Sequence, residues 1–374
     1  MSLTRRDWLA AGAAAMTAPA AWAQGSNAGT RFSSTRFGIV VRATINGFSA
    51  QALLDSGATA HTIDTGLAQR IGLAATSRPV TSLGVGGLAR GFFSKPAELA
   101  FAGRQFPYTS LAMLDLSRLT ERNGQPVELL LGRPLFDALV VDINFAAGSV
   151  SLHDRSAYAP PREATKIDLS PLNGLLTVPV TLPGGVIYAS IDTGSMAPLV
   201  VSSRAARRID LLGDGRISTT LMGGLSGVSE ARITSVPNLT FGGTEFHDAP
   251  IRVPPRPIGT DGIVGIELLS RFNVALDFRT QKMWATPNGP ERPFNRDLLG
   301  LLGEPGPEGL RITHVAAGSP VDVAGLKAGD VITRINGQPA RSVTVRIVRA
   351  QPGFRVTFDL ADGSRKQAVL ARYY

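Results

Sequence analysis

The sequence of 374 residues contains no cysteine and only four histidines. Without cysteine the chain has no disulfide, no thiolate metal ligand and no cysteine nucleophile. The histidines, at positions 61, 153, 247 and 314, lack the spacings of zinc sites, so no metal is predicted. Any catalysis must therefore use oxygen or nitrogen groups.

Charged residues make up 18% and aromatic residues 6% of the chain, whereas glycine occurs 41 times. Together with 44% hydrophobic residues, this composition excludes a wholly disordered chain and favours a globular protein of strands and turns. The 38 basic and 29 acidic side chains give a net charge of +9. Because the arginines are scattered along the chain, they are interpreted as solvated surface, and no nucleic-acid partner is predicted.

No apolar run reaches the ~20 residues that a membrane-spanning helix needs. Near the amino terminus, the paired Arg5–Arg6 precede an alanine-rich stretch that ends at Ala21–Ala23, a small-x-small site suited to signal peptidase. Residues 1–23 therefore resemble a bacterial twin-arginine export signal. We predict a periplasmic or secreted protein with no membrane span after signal removal. An amphipathic first helix or a membrane anchor is the alternative.

The middle of the chain contains an internal repeat. Ala52–Ala58, which reads ALLDSGA, corresponds to Ala189–Ser195, which reads ASIDTGS, and each follows a turn signal and a strand-like run. Further along, Leu129–Phe136 corresponds to Gly262–Leu269, and each leads into an apolar strand that contains one aspartate. Landmarks in the same order predict two equivalent halves, each presenting an acid in a tight turn.

A third Asp-Thr-Gly tripeptide, at Asp64–Gly66, is interpreted differently. It precedes a short helical pattern, where its side chains can cap the free amides of the helix. The second half holds Ser202–Ser203, which are also capping residues, at the matching place. We therefore predict that Asp64 is structural and that Asp55 and Asp192 are the functional pair.

The turns at Asp55 and Asp192 resemble those of aspartic proteases, as two retropepsin-like lobes fused in one chain. The resemblance covers roughly residues 35 to 286. It implies a mainly β fold with two acid-protease β-barrel lobes, at residues 35–155 and 171–286. It also implies that the two aspartates are catalytic and that their loops are supported by Ser56, Gly57, Thr193, Gly194 and Ser195.

The chemistry of two adjacent carboxylates explains why a pair is needed. Held a few ångströms apart they cannot both ionise cheaply, so they share one proton. The ionised carboxylate takes a proton from water and the protonated one polarises the peptide carbonyl. No cofactor is then predicted, and a chain that holds both acids is expected to act on a polypeptide substrate as a monomer. The Ser195 hydroxyl, absent at Ala58 of the first half, is expected to favour the ionised form.

Each half also contains a glycine-rich segment where the resembled family has a hairpin that covers the substrate. The candidate flap residues are Gly84, Gly86, Gly87, Gly223 and Gly224. An ordinary flexible hairpin is the alternative. A phosphate cradle is less well supported, because neither segment ends in Gly-Lys-Ser/Thr.

The carboxy-terminal part has a different character. A stretch dense in proline and glycine at residues 287–297 predicts a linker. The run Gly318–Gly337, which reads GSPVDVAGLKAGDVITRING, resembles a bacterial PDZ domain, predicted over residues 298–374 as a small unit of sheet and helix. Such a domain is expected to pair an extended or C-terminal peptide with a free strand edge. The backbone amides that would hold the peptide carboxylate are those of Leu299, Gly300, Leu301 and Leu302. The alternative is a domain that only packs against the lobes.

Two hypotheses about function follow from these features. The leading one is an exported aspartic endopeptidase with a PDZ module for peptide binding or regulation. The alternative is a non-catalytic peptide-binding protein that uses the protease cleft and the PDZ groove.

Overall fold

The computed structural model describes residues 29–33, 38–84, 87–213, 215–225, 227–340 and 351–374. The predicted fold class is confirmed, because strands dominate and the helices of the described residues are all short. The predicted export signal at residues 1–23 and the flap residue Gly86 lie outside the described residues. Within them, no helix is long and apolar enough to cross a bilayer.

The first half of the chain forms one large sheet and part of a second. In chain order its elements are β1 (Thr30–Arg31), β2 (Ile39–Ile45), β3 (Phe48–Leu54), β4 (Thr62–Asp64), α1 (Thr65–Arg70), β5 (Ala75–Gly84), β6 (Gly87–Ser94), β7 (Ala97–Phe101), β8 (Arg104–Thr109), β9 (Ala112–Leu114), α2 (Ser117–Asn123), β10 (Leu129–Leu131), α3 (Arg133–Ala138), β11 (Val140–Asn144) and β12 (Ser149–His153). The large sheet, called lobe 1 here, has the strand order β5-β6-β9-β4-β10-β3-β2-β7-β8.

The second half repeats this arrangement. Its elements are β13 (Thr165–Asp168), β14 (Ser170–Leu172), β15 (Leu175–Leu182), β16 (Gly185–Ile191), β17 (Leu199–Val201), α4 (Ser203–Arg208), β18 (Ser218–Gly224), β19 (Gly227–Phe241), β20 (Thr244–Val253), β21 (Gly262–Val264), α5 (Ile266–Leu269), β22 (Phe272–Asp277) and β23 (Lys282–Pro287). Its sheet, called lobe 2 here, has the order β14-β15-β16-β21-β17-β20-β19-β18.

A shared sheet joins the two lobes, in the order β1-β12-β11-β22-β23-β13. At its centre β11 and β22 pair antiparallel, with Val141 opposite Leu276 and Ile143 opposite Val274. All four side chains are buried in a hydrophobic core that runs through both lobes. Burying this much apolar surface disfavours separation of the lobes, so the pairing fixes the position of one lobe against the other.

The carboxy-terminal domain has its own sheet and core. Its elements are β24 (Leu301–Pro305), β25 (Leu310–Val315), α6 (Pro320–Val323), β26 (Val331–Ile335), β27 (Gln338–Pro339), β28 (Arg355–Leu360) and β29 (Arg365–Val369). The strand order is β24-β25-β26-β28-β29, with β27 beside β26. Among the described residues β24 pairs only with β25, so it is an edge strand.

The segment between β23 and β24 packs against lobe 2. Phe294 is buried in the core of the lobes, and the Arg271 guanidinium lies 3.7 Å from the centre of its ring. Glu291 accepts a hydrogen bond from the His247 amide at 3.0 Å. The predicted linker is therefore held along lobe 2 by burial and hydrogen bonds.

The carboxy-terminal domain docks on the strand β18 side of lobe 2. Ser218 Oγ donates to the Ala317 carbonyl at 2.6 Å, and Thr219 Oγ1 lies 3.2 Å from His314 Nε2. A small apolar cluster, called the docking cluster here, lies beside these polar contacts and consists of Ile233, Ala316, Tyr373 and Tyr374. Because β18 is one strand of a glycine-rich hairpin, the domain contacts the base of that hairpin.

Candidate active site

The two acid turns are built in the same way in both lobes. Asp55 follows β3, and its amide donates to the Leu131 carbonyl of β10 at 3.0 Å. Asp192 follows β16, and its amide donates to the Val264 carbonyl of β21, also at 3.0 Å. In each case the acid-bearing strand runs parallel to its neighbour. The repeat seen in the sequence is thus a repeat of strand pairing.

Gly132 and Gly265, in the second pair of repeated segments, let the backbone of each segment lie close to the acid turn of its own lobe. A Cβ on Gly132 would lie 2.7 Å from the Ala58 carbonyl oxygen, and one on Gly265 would lie 2.6 Å from that of Ser195. The residues that follow these glycines bind the same carbonyls, because the Arg133 amide donates to Ala58 and the Ile266 amide donates to Ser195. Only glycine fits at these places without displacing the acid turns.

Two hydroxyl groups cross-link the acid turns beneath the acids. Ser56 N–H donates to Thr193 Oγ1 at 2.9 Å, and Thr193 N–H donates to Ser56 Oγ at 3.0 Å. Each hydroxyl donates onward to the other lobe: Ser56 to the Ile191 carbonyl at 2.9 Å, and Thr193 to the Leu54 carbonyl at 2.8 Å. Both side chains are buried. The result is a reciprocal network of four hydrogen bonds that ties one lobe to the other.

The glycine after each hydroxyl residue faces the acid of the opposite lobe. A Cβ on Gly57 would lie 2.7 Å from Asp192 Cγ, and a Cβ on Gly194 would lie 2.7 Å from Asp55 Cγ. The Gly57 and Gly194 amides donate to Asp55 and Asp192 of their own turns, at 3.0 Å and 2.8 Å. The absence of both Cβ atoms lets the two carboxyl groups meet.

The two carboxyl groups are hydrogen-bonded to each other, and both have a raised pKa. For Asp55 the main cause is desolvation by burial, followed by the negative charge of Asp192. For Asp192 burial raises the pKa, while hydrogen bonds from the Gly194 amide, the Asp55 side chain and the Ser195 amide oppose the rise. The two raised pKa values are those of a pair that shares one proton, and the titration belongs to the pair.

Ser195 acts differently from the expectation based on its hydroxyl. Its backbone amide, not its hydroxyl, is the group that bonds Asp192. The Ala58 amide makes the same contact with Asp55 at 3.0 Å, and Ser195 Oγ lies beside Gly265. Because a backbone amide is present whatever the side chain, Asp55 and Asp192 each accept this hydrogen bond in their own lobe.

The acids line a cavity of about 340 Å³ between the lobes. Its described apolar lining comes from both lobes and includes Leu53, Leu119, Leu175, Ile191, Met196, Val200, Met222, Leu225, Ile258, Ile263 and Phe278. The cleft has room for extended chain, and its apolar walls favour apolar side chains.

The two predicted flaps are both β-hairpins. In lobe 1 β5 and β6 end at the pair Gly84 and Gly87, and in lobe 2 β18 and β19 end at Gly224 and Gly227. The lobe 2 hairpin reaches across the cleft: Gly223 and Gly224 line the cavity, and Leu225 packs against an apolar cluster of lobe 1. Ser82 is the lobe 1 hairpin residue found in the described lining.

Asp64 is confirmed as a helix cap and not a third acid of the site. Its Oδ1 accepts from the Gly66 and Leu67 amides at 2.9 Å and 3.2 Å, and its Oδ2 accepts from the Leu116 amide at 3.0 Å. Ser202 caps α4 in the same way through the Ala205 amide. Both carboxylate oxygens of Asp64 are thus committed to backbone amides.

His61 is a supporting residue that sequence reasoning missed. Its Nδ1 accepts the Gly132 amide at 3.1 Å, so it holds the glycine segment against the acid turn of lobe 1. The side chain is buried, and burial lowers the pKa of His61 to about 4. The equivalent amide in lobe 2, that of Gly265, donates to the Pro198 carbonyl instead. No spacing or motif in the sequence distinguishes this histidine.

Three arginines of the cleft were also missed: Arg133, Arg252 and Arg256. Arg133 is engaged, because it pairs with Asp137 at 3.2 Å and donates to the Gly174 carbonyl at 2.5 Å. Apart from the two catalytic candidates, the described lining residues include no carboxylate. Arg133 lies on α3, Arg252 on β20 and Arg256 on the loop after β20. Because these elements meet only in the folded molecule, no local sequence pattern shows that the three arginines share the cleft.

The predicted carboxylate-binding loop of the carboxy-terminal domain is partly occupied by its own chain. The Leu299 and Gly300 amides donate to Asp297 Oδ1 at 2.8 Å and 3.0 Å, and Asp297 Oδ2 accepts from the Tyr373 hydroxyl at 2.9 Å. Leu301 and Leu302 begin β24, with Leu302 opposite His314. Two of the four expected amides therefore already have an acceptor.

The described residues contain no group of three or more His, Asp or Glu side chains placed to hold a metal ion. The cavity lining presents hydroxyls, the acid pair and arginines, which is a donor set for polar substrate groups. No metal or cofactor site is assigned to it.

Comparison with known families gives matches in both parts of the molecule. A model of aspartyl proteases matches residues 41–135 and 178–268, and a PDZ domain model matches residues 291–351. The chain thus contains an aspartyl protease-like domain in two regions, one with each acid turn, followed by a PDZ domain.

A curated relative is a probable periplasmic serine endoprotease, DegP-like, from Rhizobium meliloti (strain 1021). It is 31% identical over 81 residues, which is 21% of this chain and 16% of that protein. The match therefore spans well under two thirds of the relative.

Proposed function

We propose that this chain, with its aspartyl protease-like domain and its PDZ domain, is an aspartic endopeptidase whose catalytic pair is Asp55 and Asp192. The observation that carries the proposal is the meeting of the two carboxyl groups. The reciprocal bonds of Ser56 and Thr193 hold them together, and each lies against the glycine of the other lobe. A raised pKa at both acids is what one shared proton requires.

The makeup of the cleft favours the aspartic over the serine type. A serine protease needs a histidine base within hydrogen-bond reach of its serine. The described lining residues include Ser56, Ser82, Ser190 and Ser195 but no histidine. Ser56 donates to a backbone carbonyl beneath the acids and so is committed to structure. The acid pair is the group of the cleft that can act as base and acid together.

The mechanism follows from one proton held by two carboxyl groups. The ionised carboxylate takes a proton from a water molecule as its oxygen attacks the peptide carbonyl carbon, and the protonated carboxyl donates to the carbonyl oxygen. When the tetrahedral intermediate collapses and the C–N bond breaks, the carboxyl that now holds the proton gives it to the amine nitrogen, and the other carboxylate takes one from a hydroxyl of the intermediate. The products are a carboxylic acid and an amine, and the pair again holds one proton.

The remaining parts of the chain fit a role outside the cytoplasm. Residues 1–23 would direct export by the twin-arginine route. A periplasmic location agrees with the description of the DegP-like relative as periplasmic. The free edge of β24 would take up an extended peptide, as PDZ domains do. With both acids in one chain, the monomer would be sufficient for activity.

Cleavage of an unstructured protein at several pH values tests the proposal. Wild type should cut the substrate, and Asp55→Asn and Asp192→Asn should each lose at least about a thousandfold of the rate, because the pair works as a unit. Asp64→Asn is the control: it changes the aspartate of the third Asp-Thr-Gly tripeptide, asparagine can still accept from the Gly66 and Leu67 amides, and only the bond from the Leu116 amide is lost. It should retain most of the activity.

The outcomes separate the two candidate functions. Equal cleavage by wild type and both pair variants would contradict the aspartic mechanism. Absence of cleavage by all of them, with peptide still bound, would favour the non-catalytic binding protein.

A further inference from the structure

An arginine with no ion pair lies where the cleft meets the docked PDZ domain. Arg252 lies on β20, opposite Val200 on β17 and opposite Ile233 on β19. Directly opposed residues share one face of a sheet. Val200 and Arg252 both line the cavity, whereas Ile233 belongs to the docking cluster. Arg252 therefore lies on the sheet face between the cleft and the docking cluster.

The charge of Arg252 is not neutralised by a neighbour at ion-pair distance among the described residues. Burial lowers its pKa, while Glu267, Asp297, Tyr373 and Tyr374 act on it only through their charges and oppose that effect. The two carboxylates have other partners. Glu267 accepts from the Asn295 amide, and Asp297 accepts from two amides of its own loop. Arg252 is half-buried and lines the cavity, and Glu267 and Asp297 offset its charge without an ion pair, so its guanidinium can take a carboxylate as a direct partner.

Arg256 adds a second cation to the same wall. It is exposed on the loop after β20, lines the cavity, and has no ion pair among the described residues. Lobe 1 contributes one arginine to the lining, Arg133, whose charge is already paired with Asp137. Among the described lining residues, the arginines without an ion pair therefore both lie on the lobe 2 side of the cleft.

We propose that Arg252 and Arg256 form a subsite that binds a carboxylate of the polypeptide substrate, on the lobe 2 side of the acid pair. The proposal rests on the proposed function, and it names the substrate class: chains with an acidic residue at one defined distance from the scissile bond. Arginine suits this task because its guanidinium can bind a carboxylate through two hydrogen bonds.

The test uses a set of peptides that the wild-type protein cleaves. Each position around the cut is set in turn to Glu, Gln or Lys. At one position Glu should raise kcat/KM about tenfold over Gln, the scale of a hydrogen bond to a charged group, and Lys should lower it. The preference should weaken in high salt because Arg256 is exposed. Amidating the peptide C-terminus distinguishes a side-chain carboxylate from a terminal one.

Variants assign the preference to the two arginines. Arg256→Gln and Arg252→Met should each lower the ratio of kcat/KM for the Glu peptide to kcat/KM for the Gln peptide. Arg256→Glu should reverse the preference toward Lys. Arg279→Gln, an exposed arginine outside the cleft with the same change of charge, is the matched control. If Arg252→Met does not fold, Arg252→Lys with Arg256→Gln carries the test.

Failure of this inference can be told from failure of the proposed function. Equal cleavage of the Glu and Gln peptides at every position would overturn the subsite and leave the protease intact. Binding of the same peptides to the Asp55→Asn protein tests the subsite without catalysis. Equal affinity for Glu and Gln peptides there would overturn it, and a tenfold preference for Glu would support it.

Discussion

At the scale of the residue, the cleft is governed by buried groups that titrate. The acid pair holds a proton at pH values where an isolated aspartate would be ionised, because burial raises both pKa values and the charge of Asp192 raises that of Asp55 further. His61 behaves in the opposite sense, because burial keeps it neutral. The free energy of unfolding therefore depends on pH through two opposing contributions, one from the acid pair and one from His61. Substituting one of these residues at a time separates the two contributions.

The acid pair should make the protein lose stability as the pH rises. A carboxyl group with a raised folded pKa contributes stability that is full below its unfolded pKa, 3.8, and is lost as the pH rises through the folded pKa. Asp55→Asn removes one of the two carboxyl groups that share this proton. The unfolding free energy of the variant minus that of wild type should rise by at least about 1 kcal/mol between about pH 4 and about pH 8. Urea unfolding at several pH values measures this, and parallel curves for the two proteins would contradict it.

His61 should make the protein lose stability as the pH falls. Its folded pKa, about 4, is below the ordinary 6.5, so its contribution is full above 6.5 and is lost during acidification toward 4. The loss amounts to about 3 kcal/mol at most. In His61→Asn, which still offers an acceptor to the Gly132 amide, the acid-dependent part should disappear. The measurement is the difference in unfolding free energy between variant and wild type across this range, and a constant difference would refute the assignment.

At the scale of the element, two acid turns are fixed by one hydrogen-bonded cross-link and by two strand pairings. The parallel pairs β3 with β10 and β16 with β21 place each acid at a strand end. The hydroxyls of Ser56 and Thr193 then join the lobes by direct hydrogen bonds, because each accepts from the backbone amide of the other residue. Because buried backbone and the two hydroxyls set the positions of the two carboxyl groups, substitutions of the residues beneath the acids should lower the cleavage rate.

The cross-link can be tested by removing one hydroxyl at a time. Thr193→Val leaves the buried Ser56 amide without its acceptor, and Ser56→Ala does the same to the Thr193 amide. Each variant should lose about 1–3 kcal/mol of stability and cleave at least about tenfold more slowly.

Conservative exchanges at the same two positions are the controls. Thr193→Ser keeps the hydroxyl, and Ser56→Thr introduces the residue of the other lobe, so both should stay near wild type in thermal unfolding and cleavage. Loss of activity in the controls as large as in Thr193→Val and Ser56→Ala would show that the hydroxyls are not the cause.

At the scale of the whole molecule, the PDZ domain makes the two halves unequal. It contacts β18 through Ser218 and Thr219, so the lobe 2 hairpin is held at its base by the PDZ domain and at its tip by the apolar contact of Leu225 with lobe 1. The hairpin of lobe 1 pairs with β9 and packs Val80, Ala89 and Phe93 against the same apolar cluster. The proposed subsite of Arg252 and Arg256 would also give part of the net charge of +9 a role.

Detachment of the PDZ domain should expose the segment before it. Ile233→Asp places a charge in the docking cluster, where it would be buried against Ala316 and Tyr373. The segment at residues 287–297 should then be cut several times faster in limited proteolysis, with both domains still folded. Val323→Asp, at a residue that is 83% exposed, is the control and should be cut at the wild-type rate. Equal rates for the two variants would contradict docking in solution.

The sequence by itself determined the repeated architecture and the identity of the acid pair. The repeat of Asp55 and Asp192, each with its glycine segment, is a local pattern, and the helix-cap role of Asp64 could be predicted from the residues beside it. The mainly β class follows in the same way, from strand-like runs and turns that lie close together in the chain.

Only the tertiary structure decided what lies around the pair. Arg252 and Arg256 join the cleft because β20 pairs with β17 and the following loop folds back, and His61 reaches Gly132 across a strand pairing. Asp297 occupies two amides of the expected peptide loop, and the PDZ domain contacts the lobe 2 hairpin. These contacts join residues far apart in the chain, and their energies depend on burial, which no local pattern of residues specifies.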